Sequence, residues 1–338
     1  MGGKIARAVF LLGLLALVLG AAAAWWGYAK FMQPGPLRAE TTVIIQRGSG
    51  FSGIADALAR SGVISDPFIF RYGARLLGAD KALRAGEYAF AAGASPREVV
   101  ELMQSGRTVI RRLTIAEGLA TAQILAQLQA TEGLDGDAVD ANQETPPFKE
   151  GALLPETYHF SYGDKRSGLL KRMAAAMSQE LSALWSARAN GLPFKTPQEA
   201  VILASIIEKE TSRADERARI AGVFINRLNK GMRLQSDPTV VYGLTKGKAA
   251  LGRPLSRADL KKPTPYNTYL IQGLPPSPIC NPGKDSLAAA LDPEKTEDLY
   301  FVADGSGGHV FARTLEEHGK NVARWRKHNK HMKQNAAQ

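Results

Sequence analysis

Hydrophobic positions fall into distinct patterns along this chain. Ala8 to Ala29 is an uncharged run of 22 residues, mostly Leu, Ala, Val and Gly. As a helix rising ~1.5 Å per residue it is about 33 Å long, enough to cross a bilayer. Pro34, Gly35 and Pro36 break it. The pattern then predicts a strand at Thr42–Gln46, a turn at Gly48–Gly50, and a helix at Phe51–Arg60 with Ile54, Ala55 and Leu58 on one face. A second helix over Pro67–Leu77 and a strand over Arg84–Phe90 follow, and Ser95, Pro96 and Glu98 open a further helix as a capping box. From Thr108 the chain restarts with a strand to Leu113, a helix over Thr121–Leu128, and a long helix over Ser167–Asn190.

Charge changes the picture only once it is located. The net charge is +11, but Lys4, Arg7 and Lys30 lie in the first 30 residues without an acid. Lys320, Arg324, Arg326, Lys327, Lys330 and Lys333 lie in the last 20, again without one. Taking these nine positives away leaves +2 for residues 31–318, so the folded body carries no basic stripe and a nucleic-acid partner loses its support. Lys4 and Arg7 ahead of the apolar run keep the N-terminus cytoplasmic and send the rest across, with Trp25, Trp26 and Tyr28 as an interfacial belt. A cleaved signal peptide ending near Ala21–Ala24 is the other reading of this segment. The lone Cys280 excludes an internal disulfide, and no Cys/His spacing points to a metal or other cofactor.

The segment with the most chemical content runs from Thr196 to Thr211. Thr196, Pro197 and Glu199 read as a second capping box, and from Ala200 to Ile207 every residue except Ser205 is apolar. A helix apolar on all sides belongs in a core. Glu208 and Glu210 arrive at its C-terminal end, where desolvation and the helix dipole both disfavour a carboxylate and raise its pKa. Such a carboxyl can stay protonated near neutrality and act as a general acid. At 100° per residue the two glutamates point about 200° apart, so they cannot share one cleft. An amphipathic helix follows over Asp215–Asn229, carrying Asn226 and ending at Gly231. Gln235, Asp237, Thr239 and Tyr242 are then expected in or beside an extended segment, and Tyr266, Asn267, Thr268 and Tyr269 on a later aromatic and amide-rich stretch. Amides, hydroxyls and aromatic faces suit a saccharide groove, and equally suit ordinary turns and core packing.

Two resemblances arise from these residues. The strand, helix, helix, strand order of residues 41–107, with Gly-x-Tyr in its second strand, resembles the LysM-like modules that hold cell-wall glycans; a spacer is the alternative. Glu208-Lys-Glu-Thr211, Val223-Phe-Ile-Asn-Arg-Leu228, Gly231-Met-Arg-Leu-Gln235, Asp237-Pro-Thr-Val240, Tyr266-Asn-Thr-Tyr269, Gly273-Leu-Pro-Pro276 and Tyr300-Phe-Val-Ala-Asp-Gly305 resemble the YceG-like family of endolytic murein transglycosylases. That resemblance implies cleavage of the β-1,4 bond between N-acetylmuramic acid and N-acetylglucosamine with no water added, leaving a 1,6-anhydro end. It makes Glu210 the catalytic acid and base, and places Asn226, Gln235, Asp237, Thr239, Tyr242 and Tyr266 to Tyr269 along the groove.

The fold expected is α+β: a cytoplasmic N-terminus and single transmembrane helix over 1–30, a linker over 31–40, the LysM-like module over 41–107, a catalytic domain with a buried catalytic helix over 108–330, and a basic tail over 331–338. The expected location is the cytoplasmic membrane, with the catalytic domain outside. The expected partners are peptidoglycan glycan strands and the penicillin-binding glycan synthases. Two alternatives remain at this level: a hydrolytic muramidase with a second carboxylate such as Glu208, Glu156 or Asp237, and a non-catalytic glycan-binding scaffold.

Overall fold

The computed structural model describes residues 2–138 and 148–335, with side chains as far as residue 330. The tail assigned to 331–338 therefore lies outside the described side chains. The chain is mixed α+β and divides into two compact units.

The first unit takes Met1–Arg111 together with Gly133–Asp135 and His159–Asp164. It begins with α1 (Gly2–Met32), a helix long and apolar enough to cross a membrane. Then come β1 (Thr41–Ile45), α2 (Phe51–Arg60), α3 (Pro67–Leu76), β2 (Gly86–Phe90) and α4 (Pro96–Ser105). β1 and β2 pair antiparallel, Thr41 opposite Phe90 and Ile45 opposite Gly86. The capping box at Ser95 is complete, with Glu98 accepting from the Ser95 backbone and Ser95 Oγ accepting from Glu98 N. Ile54, Ala55 and Leu58 join Val43, Ile45, Phe70, Tyr88, Phe90, Val99, Val100 and Met103 in one core.

The linker expected at residues 31–40 is in fact a joint. α1 continues to Met32, and Phe31 is 6% exposed within the core of the unit. Its ring lies so close to Gly73 on α3 that a Cβ there would fall 2.3 Å from it. Beyond the helix, Gly35 N donates to Gly93 O and Gly93 N to Leu37 O. Backbone hydrogen bonds and a packed aromatic fix the exit direction of α1, which Pro and Gly alone would leave loose.

The second unit holds Arg112–Glu132, Gly136–Tyr158 and Lys165–Gln338. In chain order the remaining elements of the chain, of which β4 and the later part of β5 fall in the first unit, are β3 (Ile110–Thr114), α5 (Thr121–Ala130), β4 (Leu134–Asp135), β5 (Thr157–Ser161), β6 (Asp164–Lys165), α6 (Arg166–Ser186), α7 (Pro197–Glu210), α8 (Ala214–Asn229), α9 (Asp237–Thr245), α10 (Arg257–Lys261), α11 (Lys284–Leu291), β7 (Tyr300–Ala303), β8 (His309–Ala312) and α12 (Leu315–Asn335). Helix α7 is the centre of this unit: Ala200 through Ile207 are all buried, packed by residues of α6, α8 and α11. Its one polar buried residue, Ser205, is spent on the protein, with Oγ donating to Ile202 O and accepting from Ile279 N. β7 and β8 form an antiparallel ribbon, Tyr300 opposite Ala312.

Three sequence expectations change here. The segment carrying Asp237, Thr239 and Tyr242 is helix α9, with Pro238 in its first turn, where a missing N–H costs nothing. The capping box expected at Thr196 is half formed: Thr196 accepts from Glu199 N, but the Glu199 carboxylate turns to Lys195 N. The long helix read as ending at Asn190 stops at Ser186.

Gly222 shows how tightly α8 is packed. A Cβ there would sit 2.5 Å from Glu294 O and 2.9 Å from Thr296 Cγ2. Gly222→Ala is expected to destabilise the protein by about 1–3 kcal/mol despite better helix propensity, because backbone must move to admit one methyl. A urea-unfolding midpoint equal to that of the wild type would refute this.

Candidate active site

Helix α7 ends at Glu210, whose carboxyl is enclosed by protein on most sides while part of the residue stays open. Ser236 Oγ donates to Glu210 Oε1 at 2.5 Å. Burial pushes the Glu210 carboxyl up to about 7; the Ser236 bond and the charges of His309 and Arg227 work against the rise, and the like charge of Asp237 adds to it. A carboxyl poised there can both give and take a proton near neutrality.

Ser236 is itself held by its neighbours. It is 2% exposed, its N donates to Thr268 Oγ1 at 2.9 Å, and its carbonyl accepts from Thr239 Oγ1 at 2.6 Å. Thr239 and Thr268 share a hydrogen bond at 2.8 Å. Gln235, just before it, has φ +52°, a conformation that favours glycine, and its N donates to Thr268 O. Asp237 is exposed and receives the Tyr269 hydroxyl at 2.7 Å, while burial keeps that phenol above its ordinary range.

The expected groove residues thus divide. Asp237 and Tyr242 line a cleft of about 430 Å³ with Gly118, Gln123, Lys209 and Gly247. Gln235 is exposed and Tyr269 partly exposed. Tyr266 packs edge-on to Tyr242 at 4.9 Å, under the Lys246 ammonium at 4.2 Å. Thr239, Asn267 and Thr268 are fully buried and support the turn from below: Asn267 Nδ2 donates to Leu260 O and Lys262 O, and its Oδ1 accepts from Tyr269 N. Asn226 is also a support, its amide spent on Thr296 O and Asp298 O.

The other carboxylates have structural partners. Glu208, on the opposite side of α7 as the helical angle requires, accepts from Gly283 N at 3.0 Å. Glu156 is exposed and pairs with Lys284 at 3.4 Å.

Sequence reasoning passed over three residues that build this site. Ser236 lay between two named residues. Asn281 is buried, with Oδ1 accepting from Leu153 N and Nδ2 donating to Leu119 O, Thr121 Oγ1 and Glu150. Glu150 accepts from Thr121 as well and takes the Tyr242 hydroxyl at 3.0 Å, fixing a tyrosine of the cleft. No group of three or more His, Cys, Asp or Glu arranged to hold a metal occurs among the described residues.

With this geometry in place, residues 43–324 match the YceG-like family. The chain belongs to that family. Among relatives, the endolytic murein transglycosylase of Bacillus subtilis is 34% identical over 323 residues, spanning 87% of this chain and 88% of the relative. The endolytic murein transglycosylase of Streptococcus pneumoniae is 33% identical over 325 residues, 83% of this chain but 58% of that longer protein. The crystal structure of a YceG-like protein from Listeria monocytogenes aligns with TM-score 0.50 at 32% identity, over 84% of this chain and 99% of that one.

The turn that holds Glu210 gives opposite expectations for two neighbours. Ser236→Ala removes a donor to the carboxylate and should raise the Glu210 pKa; Asp237→Asn removes a like charge and should lower it. Infrared titration of the carboxyl band, taken as the difference from Glu210→Gln, reads both. Shifts of the same sign in the two variants would refute the assignment.

Proposed function

We propose that this YceG-like protein is a lytic transglycosylase that cuts peptidoglycan glycan strands internally, with Glu210 as the only acid and base. The observation carrying this reading is the Glu210 carboxyl, lifted to about 7, whose neighbour Lys209 and whose facing charge Asp237 both line an open cleft. In the first step Glu210 in its acid form donates its proton to the glycosidic oxygen, which leaves with the N-acetylglucosamine. The bond from that oxygen to C1 of the muramic sugar breaks. The 6-hydroxyl of the same muramic sugar then bonds to C1 and gives its proton to the Glu210 carboxylate. The products are a 1,6-anhydro end and a regenerated acid, with no water consumed.

An intramolecular nucleophile supplies the orientation that a second carboxylate must otherwise give to water. The engagement of Glu208 by Gly283 N, and of Glu156 by Lys284, supports a one-carboxylate mechanism. Asp237, held by Tyr269, is an anion whose charge is felt at Glu210, and it helps stabilise positive charge developing on the sugar ring. Tyr242, Tyr266 and Tyr269, with Gln235, contact the glycan, while the buried Asn267 and Thr268 hold the turn. The identity to two proteins named endolytic murein transglycosylase supports the substrate and the internal cut.

The same reading makes α1 a single-pass anchor in the cytoplasmic membrane, with its N-terminus inside and both folded units outside, as Lys4 and Arg7 favour. The βααβ unit is a LysM-like glycan holder. An enzyme so placed meets nascent strands and ends their growth beside the penicillin-binding synthases.

Mass spectrometry of glycan strands incubated with the protein tests the reaction. Wild type should yield ends lighter by one water than hydrolytic ends, and Glu210→Gln should be slower by roughly 10²–10⁴-fold, the usual worth of a general acid–base. Reducing ends would make it a hydrolase, and no cleavage by folded wild type a scaffold. Because the acid form starts the reaction, kcat/KM should fall as pH rises through about 7. A rate that instead climbs through that range would overturn the role of Glu210.

A further inference from the structure

Helix α3 carries two apolar faces, and only one of them is used by the core. Phe70, Gly73 and Ala74 are buried. Phe68, Tyr72 and Leu76, one turn apart along another stripe, are 67%, 60% and 75% exposed, and Leu77 beside them is 48% exposed. The Phe68 and Tyr72 rings stack at 6.2 Å, so the stripe is an ordered surface. Large apolar side chains grouped in this way mark a contact surface.

The occupant follows from where the stripe stands. It is continuous with α1: a cleft of about 700 Å³ is walled by Phe68, Ile69, Tyr72, Leu76 and Leu77 on one side, and on the other by α1 from Gly20 to Met32. The Phe31–Gly73 contact and the Gly35–Gly93 hydrogen bonds make α1 and α3 parts of one packed unit. Gly20 to Tyr28 belong to the outer part of the apolar run and include the aromatic belt. A helix lying against that stretch lies at the depth of the headgroups and outer acyl chains. Arg71 and Arg75 on α3 supply cations for lipid phosphates.

We propose that α3 is a second membrane contact, seating the first unit on the outer face of the bilayer with Phe68, Tyr72, Leu76 and Leu77 in the lipid interface. This rests on α1 spanning the membrane. It turns the anchor from a tether into a fixed mount, which limits the heights above the membrane at which the first unit can hold a glycan strand.

The test uses the full chain with Cys280→Ala, reconstituted into phosphatidylethanolamine and phosphatidylglycerol vesicles. Single cysteines replacing Leu76, Phe68 or Val18 carry an environment-sensitive fluorophore. Brominated acyl chains should quench the Leu76 and Phe68 labels nearly as well as the Val18 label within α1, and aqueous iodide should quench them poorly. Val18 quenched by lipid with Leu76 open to iodide would leave the anchor standing and refute the mount. Labels on Leu76 shielded from both quenchers would mean that a second copy covers the stripe, which also refutes it. Val18 unquenched by lipid would remove the spanning helix and the mount together.

Discussion

A carboxyl at the end of a helix with no solvent face has few states available to it. Helix α7 is buried from Ala200 to Ile207, so its position is set by the core of the second unit and not by anything at the site. Glu210 is carried wherever that packing puts it. Desolvation makes its charged form costly, and the protein answers with one short hydrogen bond from Ser236, which leaves the pKa at about 7. Between pH 4.5 and about 7 the native chain keeps a proton that the unfolded chain has lost, so this group reduces stability as pH rises through that window. A site that weakens its own fold near neutrality is expected where function, and not stability, sets the residue.

Local signals in the sequence were sufficient for some of this. The apolar run interrupted only by Ser205, the two glutamates that close it and the 200° between them are read from sequence and helical periodicity alone, and Glu208 and Glu210 do find different partners. The support of the site was hidden because its contacts are remote. Asn281 ties together segments 128 to 162 residues away, yet stands in an Asn-Pro-Gly stretch that reads as an ordinary turn. Glu150 reaches Tyr242 across 92 residues. Composition could not separate Thr239, Asn267 and Thr268, which are buried, from Gln235 and Asp237, which are exposed, because the same polar residue types serve both roles. The segment expected in or beside an extended stretch is helix α9, and Asp237-Pro238 is the helix-start signal that marks it, although β-branched Thr239, Val240 and Val241 disfavour a helix.

The first unit shows a related limit. Amphipathic spacing found α2 with its inward face and the extent of α3, but α3 is apolar on its outward stripe too, and a periodicity cannot tell a second buried face from an open one. Phe31 is the clearer case. It falls in the segment 31–40 expected as a linker, and instead it fills the space that Gly73 leaves against α3. Only the missing Cβ of Gly73 permits that approach, so a glycine within a helix, costly to helix propensity, is what couples the apolar helix to the folded unit.

The turn at Gln235 to Asp237 joins these themes. Ser236 stands at the N-cap of α9, where a serine ordinarily accepts from the helix backbone, yet it makes no such bond. Its hydroxyl is aimed at Glu210 instead, and the left-handed Gln235 before it is the bend that the aim requires. The α9 cap and the relaxed backbone are both given up, at a cost on the order of 1–3 kcal/mol for the strained residue alone. Thr239 and Thr268 hold the bend by occupying the backbone N–H and C=O of Ser236. One residue further, the same turn presents Asp237, which acts on Glu210 in the opposite sense. A donor that favours the charged form and an anion that disfavours it are therefore adjacent residues on one rigid turn. The poise of Glu210 depends on the geometry of that turn more than on either neighbour separately.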